Sequence, residues 1–384
     1  MNWRGFYKFS VNWYFYYSEE LNPNEIDGFR IRGEEVDYFF SPGQLLKSEV
    51  QFADDGSAIE RMSIAAKGGI VQPCGKYRIV PHVDAAMEVV SFPTIYPNTW
   101  ENMLEVASVF TTRFSCPVDL NTLLKAFQNT RYFFLYVTYR ANICIHSAEI
   151  FRLNDKGLKD YKGWLVYKMP HQLEKLPDAK KRIIKYAHLG KKTAKIFTSI
   201  KNKKLEFEHL CESIDETHRY TISRCIMVLT AFEREYRNIY GENSGRSPEY
   251  IQVKKDIVDL IGKYRKQSHG KQRDYVRGFL KTVKNRDNSF STNINNALMD
   301  CREIMEYFLK EEYEDDYEKT AKGVSIRIGE VRNGIAHSRL DLQLEAIHLA
   351  DIKIVEKLIY AMRLKKIGIK SPQIQMAIQE LFGS

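Results

Sequence analysis

Val324-Ser325-Ile326-Arg327-Ile328-Gly329-Glu330-Val331-Arg332-Asn333-Gly334-Ile335-Ala336-His337 is the stretch that decides the fold of the C-terminal half. Val324, Ile328, Val331 and Ile335 recur at steps of four, three and four, an apolar stripe down one side of a helix. The pattern predicts a helix over 318–334. Gly334 is its expected end, because glycine is a weak helix former and the commonest residue where helices stop. Ser338-Arg339-Leu340-Asp341 then gives a polar turn, and a second helical pattern follows. Outward from this stretch, helices fit His218–Tyr240, Pro248–Gln267, Arg273–Val283, Thr292–Lys310, Leu344–Met362 and Pro372–Leu381. In Thr292–Lys310 the residues Ile294, Leu298, Cys301, Ile304 and Phe308 share one face. A helical bundle with short connections is the natural result.

The end of the same stretch carries the chemistry. Arg332 and His337 stand five positions apart, with Asn333 directly after the arginine. On an unbroken helix five positions turn the chain by roughly 500°, so the two side chains would diverge by about 140°. A helix that ends or distorts at Gly334 lets guanidinium and imidazole converge on one pocket. Arginine presents a permanently charged fork that matches a phosphate. Histidine takes and gives a proton near neutrality. Together they suit phosphodiester cleavage without a metal. The plainer alternative is a histidine that complements the negative end of a helix dipole.

Residues 1–172 have a different grammar. Nine aromatics fall in the first 17 positions: Trp3, Phe6, Tyr7, Phe9, Trp13, Tyr14, Phe15, Tyr16 and Tyr17. Strand-like runs alternate with turn signals: Val36–Phe40, Ser48–Phe52, Ile59–Ala65, Tyr77–Val80, Glu88–Phe92, Tyr132–Tyr139, Ile143–Phe151 and Trp164–Tyr167. A helical interruption fits Asn98–Val109 or Asp119–Phe127. The expectation is an α+β chain: an antiparallel β domain of sandwich or barrel type over 1–172, a basic helical connector over 173–204, and a helical bundle over 205–384.

At 384 residues the chain is long enough for two cores. No run approaches the length of a membrane span, and no apolar leader precedes Glu19 and Glu20, so a cytoplasmic location without membrane contact is expected. The six cysteines are scattered with no Cys-x-x-Cys pair, which points to free thiols. Clustered metal ligands, a phosphate-binding glycine loop and a Gly-x-Ser-x-Gly elbow are missing, so neither metal nor cofactor is expected. The net charge of +9 is unevenly spread. Eleven Lys/Arg face two acids between Glu174 and Lys204, and another eleven face three acids from Lys254 to Arg286. Such stripes attract polyphosphate, although most lysine-rich segments are solvated helix faces. The run Glu311–Glu318 reads as an acidic loop rather than a metal site.

Arg332-Asn333, three residues and His337, at a helix junction in an all-helical region, resemble the signature of HEPN domains. The helix Ile222–Tyr240, with Leu229-Thr230-Ala231-Phe232-Glu233-Arg234-Glu235-Tyr236, is similar to the first long helix of the ApeA-like HEPN group. The resemblance covers roughly residues 205–370. It implies a helical bundle that forms a homodimer or higher even oligomer. It also implies a metal-independent endoribonuclease in anti-phage defence or toxin systems, answering to a phage-derived trigger, with tRNA among its candidate RNA substrates. Under it His337 carries the proton transfers, Arg332 stabilises transition-state charge, Asn333 hydrogen-bonds the phosphate or orients its neighbours, and Glu233 supports Arg332 or only joins two helices. Lys180, Lys181, Arg182 and Arg339 are candidate RNA contacts. Two other readings stay open: a non-catalytic module sensing a nucleotide or a protein through the β domain, and a scaffold whose bundle only dimerises. Replacing Lys180, Lys181 and Arg182 by glutamate should weaken RNA binding and flatten its salt dependence, each lost phosphate contact removing roughly 0.9 from the log–log slope on a duplex. An unchanged slope in a filter-binding titration would make the segment a solvated one.

Overall fold

The computed structural model describes residues 13–19, 21–52, 59–66, 68–95, 104–168, 174, 179, 181–241, 248–285, 290–313, 316–336 and 344–383. The chain divides into two compact units. One comprises Met1–Leu205, Leu210–His218 and Gln379–Ser384; the other comprises Glu206–His209 and Arg219–Ile378. An antiparallel sheet precedes an all-helical region, so the chain is α+β.

Among the described residues of the first unit nine strands form: β1 (Trp13–Tyr17), β2 (Ile26–Ile31), β3 (Leu46–Phe52), β4 (Ile59–Ala66), β5 (Ile70–Val80), β6 (Val83–Ile95), β7 (Leu104–Val118), β8 (Ser147–Leu153) and β9 (Lys159–Tyr167). Seven make one antiparallel sheet in the order β1-β9-β8-β2-β7-β6-β5, while β3 and β4 pair as a separate ribbon. Among the described residues the sheet is open, with β1 and β5 at its edges, and it is backed by helices. This corrects the sandwich or barrel expected from the strand count.

Two segments with strand-like composition are the reason. Val36–Phe40 belongs to helix α1 (Glu34–Phe39), and Tyr132–Tyr139 belongs to helix α2 (Leu120–Thr138) with Tyr139 as its left-handed cap. The Asp119 side chain starts α2 by accepting from the Thr122 amide at 2.8 Å. Leu123, Ala126, Phe127, Thr130, Phe133, Phe134 and Val137 then follow a helical period, and all are buried. Burial of that face overrides the β-propensity of the aromatics. Of the two candidate interruptions, Asp119–Phe127 falls on α2, whereas β7 runs through Leu104–Val109.

The segment read as a connector also lies in this unit. After α3 (Tyr186–Leu189), α4 (Thr193–Lys201) buries Ile196, Phe197 and Ile200, while Lys191, Lys192, Lys195 and Lys201 stay in solvent. The Phe197 ring lies 4.9 Å from Phe133 and 5.1 Å from Tyr77, which joins α4, α2 and the sheet into one aromatic core.

The second unit is helical: α5 (Ile222–Tyr240), α6 (Pro248–Gln267), α7 (Gly270–Asn285), α8 (Phe290–Asp300), α9 (Arg302–Glu312), α10 (Tyr317–Ala336), α11 (Ala346–Lys366) and α12 (Ser371–Phe382), which begins there. Helix α11 is its axis. From Asp351 to Leu364 all but one residue is buried, and those include Asp351, Glu356, Lys357 and Arg363. Burying charge is costly unless it is paired, and Asp351, Glu356 and Arg363 are paired, whereas the Lys357 ammonium lies 4.9 Å from the Phe308 ring centre. Arg363 donates to both oxygens of Glu235, at 2.5 and 2.7 Å. Arg224 and the Tyr220 hydroxyl donate to Glu356 at 2.8 and 2.6 Å. Arg327 donates to both oxygens of Asp351 at 2.7 and 2.8 Å.

The single helix expected over Thr292–Lys310 is two, α8 and α9, broken at Cys301. The Tyr317 hydroxyl takes the Leu298 carbonyl at 2.6 Å, and the Lys365 ammonium takes the Asp300 carbonyl, so acceptors of a continuous ladder are used from outside.

Truncating Arg363 to alanine leaves Glu235 buried without its partner and should cost about 3–5 kcal/mol. The pair Glu235→Leu with Arg363→Met should cost much less than the single truncation. Urea unfolding of the full chain measures both; equal losses would mean that the pair does not organise the bundle.

Candidate functional site

The Arg332 neighbourhood is built from three helices of the second unit. Thr221 caps α5 by accepting from the Arg224 amide at 3.2 Å, and Cys225, Val228, Leu229, Phe232 and Tyr236 turn inward. On α10, Val324, Ile328 and Val331 are buried as the stripe predicts. Gly329 is placed by contact: a Cβ there would lie 1.9 Å from the Ser291 hydroxyl of α8, so only hydrogen allows the two helices this approach. That approach brings Phe290, at the start of α8, beside Arg332.

Ile226, Leu229, Thr230 and Glu233 from α5, Phe290 from α8, and Arg332 and Ile335 from α10 line a cavity of about 170 Å³. The Arg332 side chain is 43% exposed, lies 4.0 Å from the Glu233 carboxylate and holds its guanidinium 5.9 Å from the Phe290 ring centre. Glu233 is engaged mainly elsewhere, accepting from Arg237 one turn along α5 at 2.5 Å. A carboxylate shared between two half-exposed arginines does not neutralise either, so Arg332 keeps a charged fork facing the cavity and solvent. Asn333 is exposed on the next position.

One expectation about this region changes. Helix α10 continues through Gly334 to Ala336, so the chain does not end its helix at the glycine. Gly334 is buried within the helix, and a single glycine there carries only a modest propensity cost. Glu233 stands within ion-pair reach of Arg332, but beside the inward face of α5 rather than on it, with its side chain 28% exposed. The buried carboxylate of α5 is Glu235, paired with Arg363. A signal for that was present: Cys225, Val228, Phe232 and Glu235 follow one another at helical steps, and Glu233 falls outside that row. Nothing in the sequence announced Phe290, which meets Arg332 only through packing.

His337 and Arg339 lie outside the described residues, as does Lys180. Lys181 is exposed, and Arg182, in the first unit, lies 3.4 Å from both the Thr217 hydroxyl and the His218 ring. Among the described residues no three His, Cys, Asp or Glu side chains gather as metal ligands. No helix among them is long and apolar enough to cross a membrane. No protein-family model, characterised protein or solved structure matches the chain.

Because the contact between Glu233 and Arg332 is long and half-exposed, Glu233→Ala should change stability by about 1 kcal/mol or less. Arg332→Ala should behave alike. A loss near that of truncating Arg363, read from urea midpoints, would show that the pair holds the helices together.

Proposed function

We propose that this chain is a metal-independent endoribonuclease of the HEPN kind, similar to the ApeA-like group, acting in anti-phage defence or as a toxin. The observation that carries the reading is the half-exposed Arg332 fork at the lip of a cavity, uncompensated by a dedicated carboxylate, five residues before His337 in the chain. An arginine kept for bundle stability would be buried and paired, as Arg363 is.

RNA brings its own nucleophile. The 2′-hydroxyl attacks the adjacent phosphorus, the bond from phosphorus to the 5′-oxygen breaks, and a 2′,3′-cyclic phosphate and a 5′-hydroxyl result. His337 removes the proton from the 2′-oxygen or delivers one to the leaving 5′-oxygen. Arg332 stabilises the negative charge that grows on the phosphoryl oxygens, and its planar fork can engage two of them. Asn333, exposed beside it, can donate a hydrogen bond to the same group. One Arg/His set holds one proton carrier, so a second copy of the chain supplies the other across a homodimer interface.

His337→Ala should lower RNA cleavage by roughly 10²–10⁴, the usual cost of losing an acid–base group, and leave folding and dimerisation unchanged. Arg332→Ala should do nearly the same. Arg332→Lys should restore little, since an ammonium keeps the charge but loses the fork. Cleavage should persist in EDTA. Incubation with total RNA followed by end mapping reads all of these. Undiminished cutting by His337→Ala, or arrest by chelator, would favour a sensor or scaffold instead.

A further inference from the structure

Arg131, half-buried in the first unit, is held without a carboxylate among the described residues. Arg140 is paired with Glu35 and Arg30 with Glu149. The Arg131 guanidinium carbon lies over Tyr167, 3.7 Å from the ring centre, and its Nε is buried with no hydrogen-bond partner. Burial holds its pKa below the usual arginine range.

The residue lines a cavity of about 340 Å³, a size at the lower end of small-molecule pockets, which run roughly 300–1,000 Å³. Helix α2 contributes Phe127, Gln128 and Arg131, which fall on one face because they are three and four positions apart. The sheet contributes Trp13 from β1 with Leu165 and Tyr167 from β9. Trp13 and Tyr167 are register partners, so their side chains leave the sheet on the same side as Leu165. The walls are thus mostly aromatic and aliphatic. The cation, one amide, Gln128, and the Tyr167 hydroxyl are the polar groups. Trp13 is 42% exposed and stands at the open edge strand.

An enclosed cation without an anion costs stability unless something supplies one. A folded chain that keeps such a cation at the wall of an aromatic cavity holds half of a recognition site. We propose that this cavity binds a small planar aromatic molecule bearing an anionic group, with its phosphate or carboxylate on Arg131 and its ring against Trp13. Gln128 can donate to, or accept from, heteroatoms of that ring. A nucleoside monophosphate and an aromatic carboxylic acid both have this chemistry. The site does not depend on the ribonuclease reading, since none of its residues belongs to the helical unit.

Calorimetric titration of the full chain tests it, with 5′-AMP and 4-hydroxybenzoate as probes and adenosine and inorganic phosphate as controls. At least one anionic aromatic should bind ten or more times tighter than either control. Preference for 5′-AMP identifies the nucleotide as the source of the anion, and preference for 4-hydroxybenzoate the aromatic acid. Arg131→Met should weaken that binding about ten- to a hundredfold, the range of a charge-assisted contact. The ligand-free Arg131→Met protein should melt no lower than the parent, because an uncompensated cation has been removed; a purely structural arginine would lower the midpoint. Trp13→Ala, at a half-exposed edge position, should weaken binding independently of Arg131. The proposal is overturned if neither anionic aromatic binds better than adenosine at millimolar concentration. It fails equally if Trp13→Ala and Arg131→Met leave the affinity unchanged.

Discussion

The helical unit depends on how α11 carries charge through a core. Four ionisable side chains lie buried on it, and the bidentate bond between Arg363 and Glu235 is the most enclosed of the pairs they form. Such pairs add little net stability, because desolvation offsets most of the attraction. Their effect is directional. Because α11 is buried on nearly every side, hydrophobic burial alone does not set its rotation, but a fork facing a carboxylate does. Arg224 with Glu356, and Arg363 with Glu235, fix α11 against α5, while Arg327 with Asp351 fixes it against α10.

With α5 and α10 both referenced to α11, the geometry around Arg332 follows. The outer side of α5 offers Glu233, Ile226 and Thr230; the last turn of α10 offers Arg332 and Ile335; and Gly329 lets α8 bring Phe290 between them. The carboxylates on the inside are each paired with an arginine. Those on the outside are shared loosely, which leaves a guanidinium free to meet an anion. That contrast between neighbouring arginines of one bundle is what gives the nuclease proposal its physical basis.

The first unit obeys a different constraint. Its sheet needs a second layer to cover an apolar face. That layer is α2 together with α4, joined to the sheet through Phe110, Phe133, Phe197 and Tyr77. The basic residues of α4 then point outward by necessity, since its inner face is taken by Ile196, Phe197 and Ile200. A dense positive stripe is therefore compatible with a segment that is structurally part of the core. Where α2 meets the sheet edge near β1, its face carries Arg131 into an aromatic cavity.

Periodicity by itself determined much of this protein. The stripe of α10, the span of α5 and the strands of the antiparallel sheet are local patterns, and local patterns are legible because each residue's face depends only on its near neighbours. The Arg332–His337 spacing was legible for the same reason. What only the tertiary structure decided are the matters in which a distant partner outweighs local preference. The strand-forming aromatics of 132–139 became helix because their helical face could be buried whole. The helix over 292–310 broke because Tyr317 and Lys365 took its carbonyls. Gly334 stayed helical, and the buried acid of α5 proved to be Glu235, because the inner face of a helix is defined by what packs on it. Phe290 beside Arg332, and Arg131 without an acid, are products of three-dimensional proximity, which no spacing along the chain encodes.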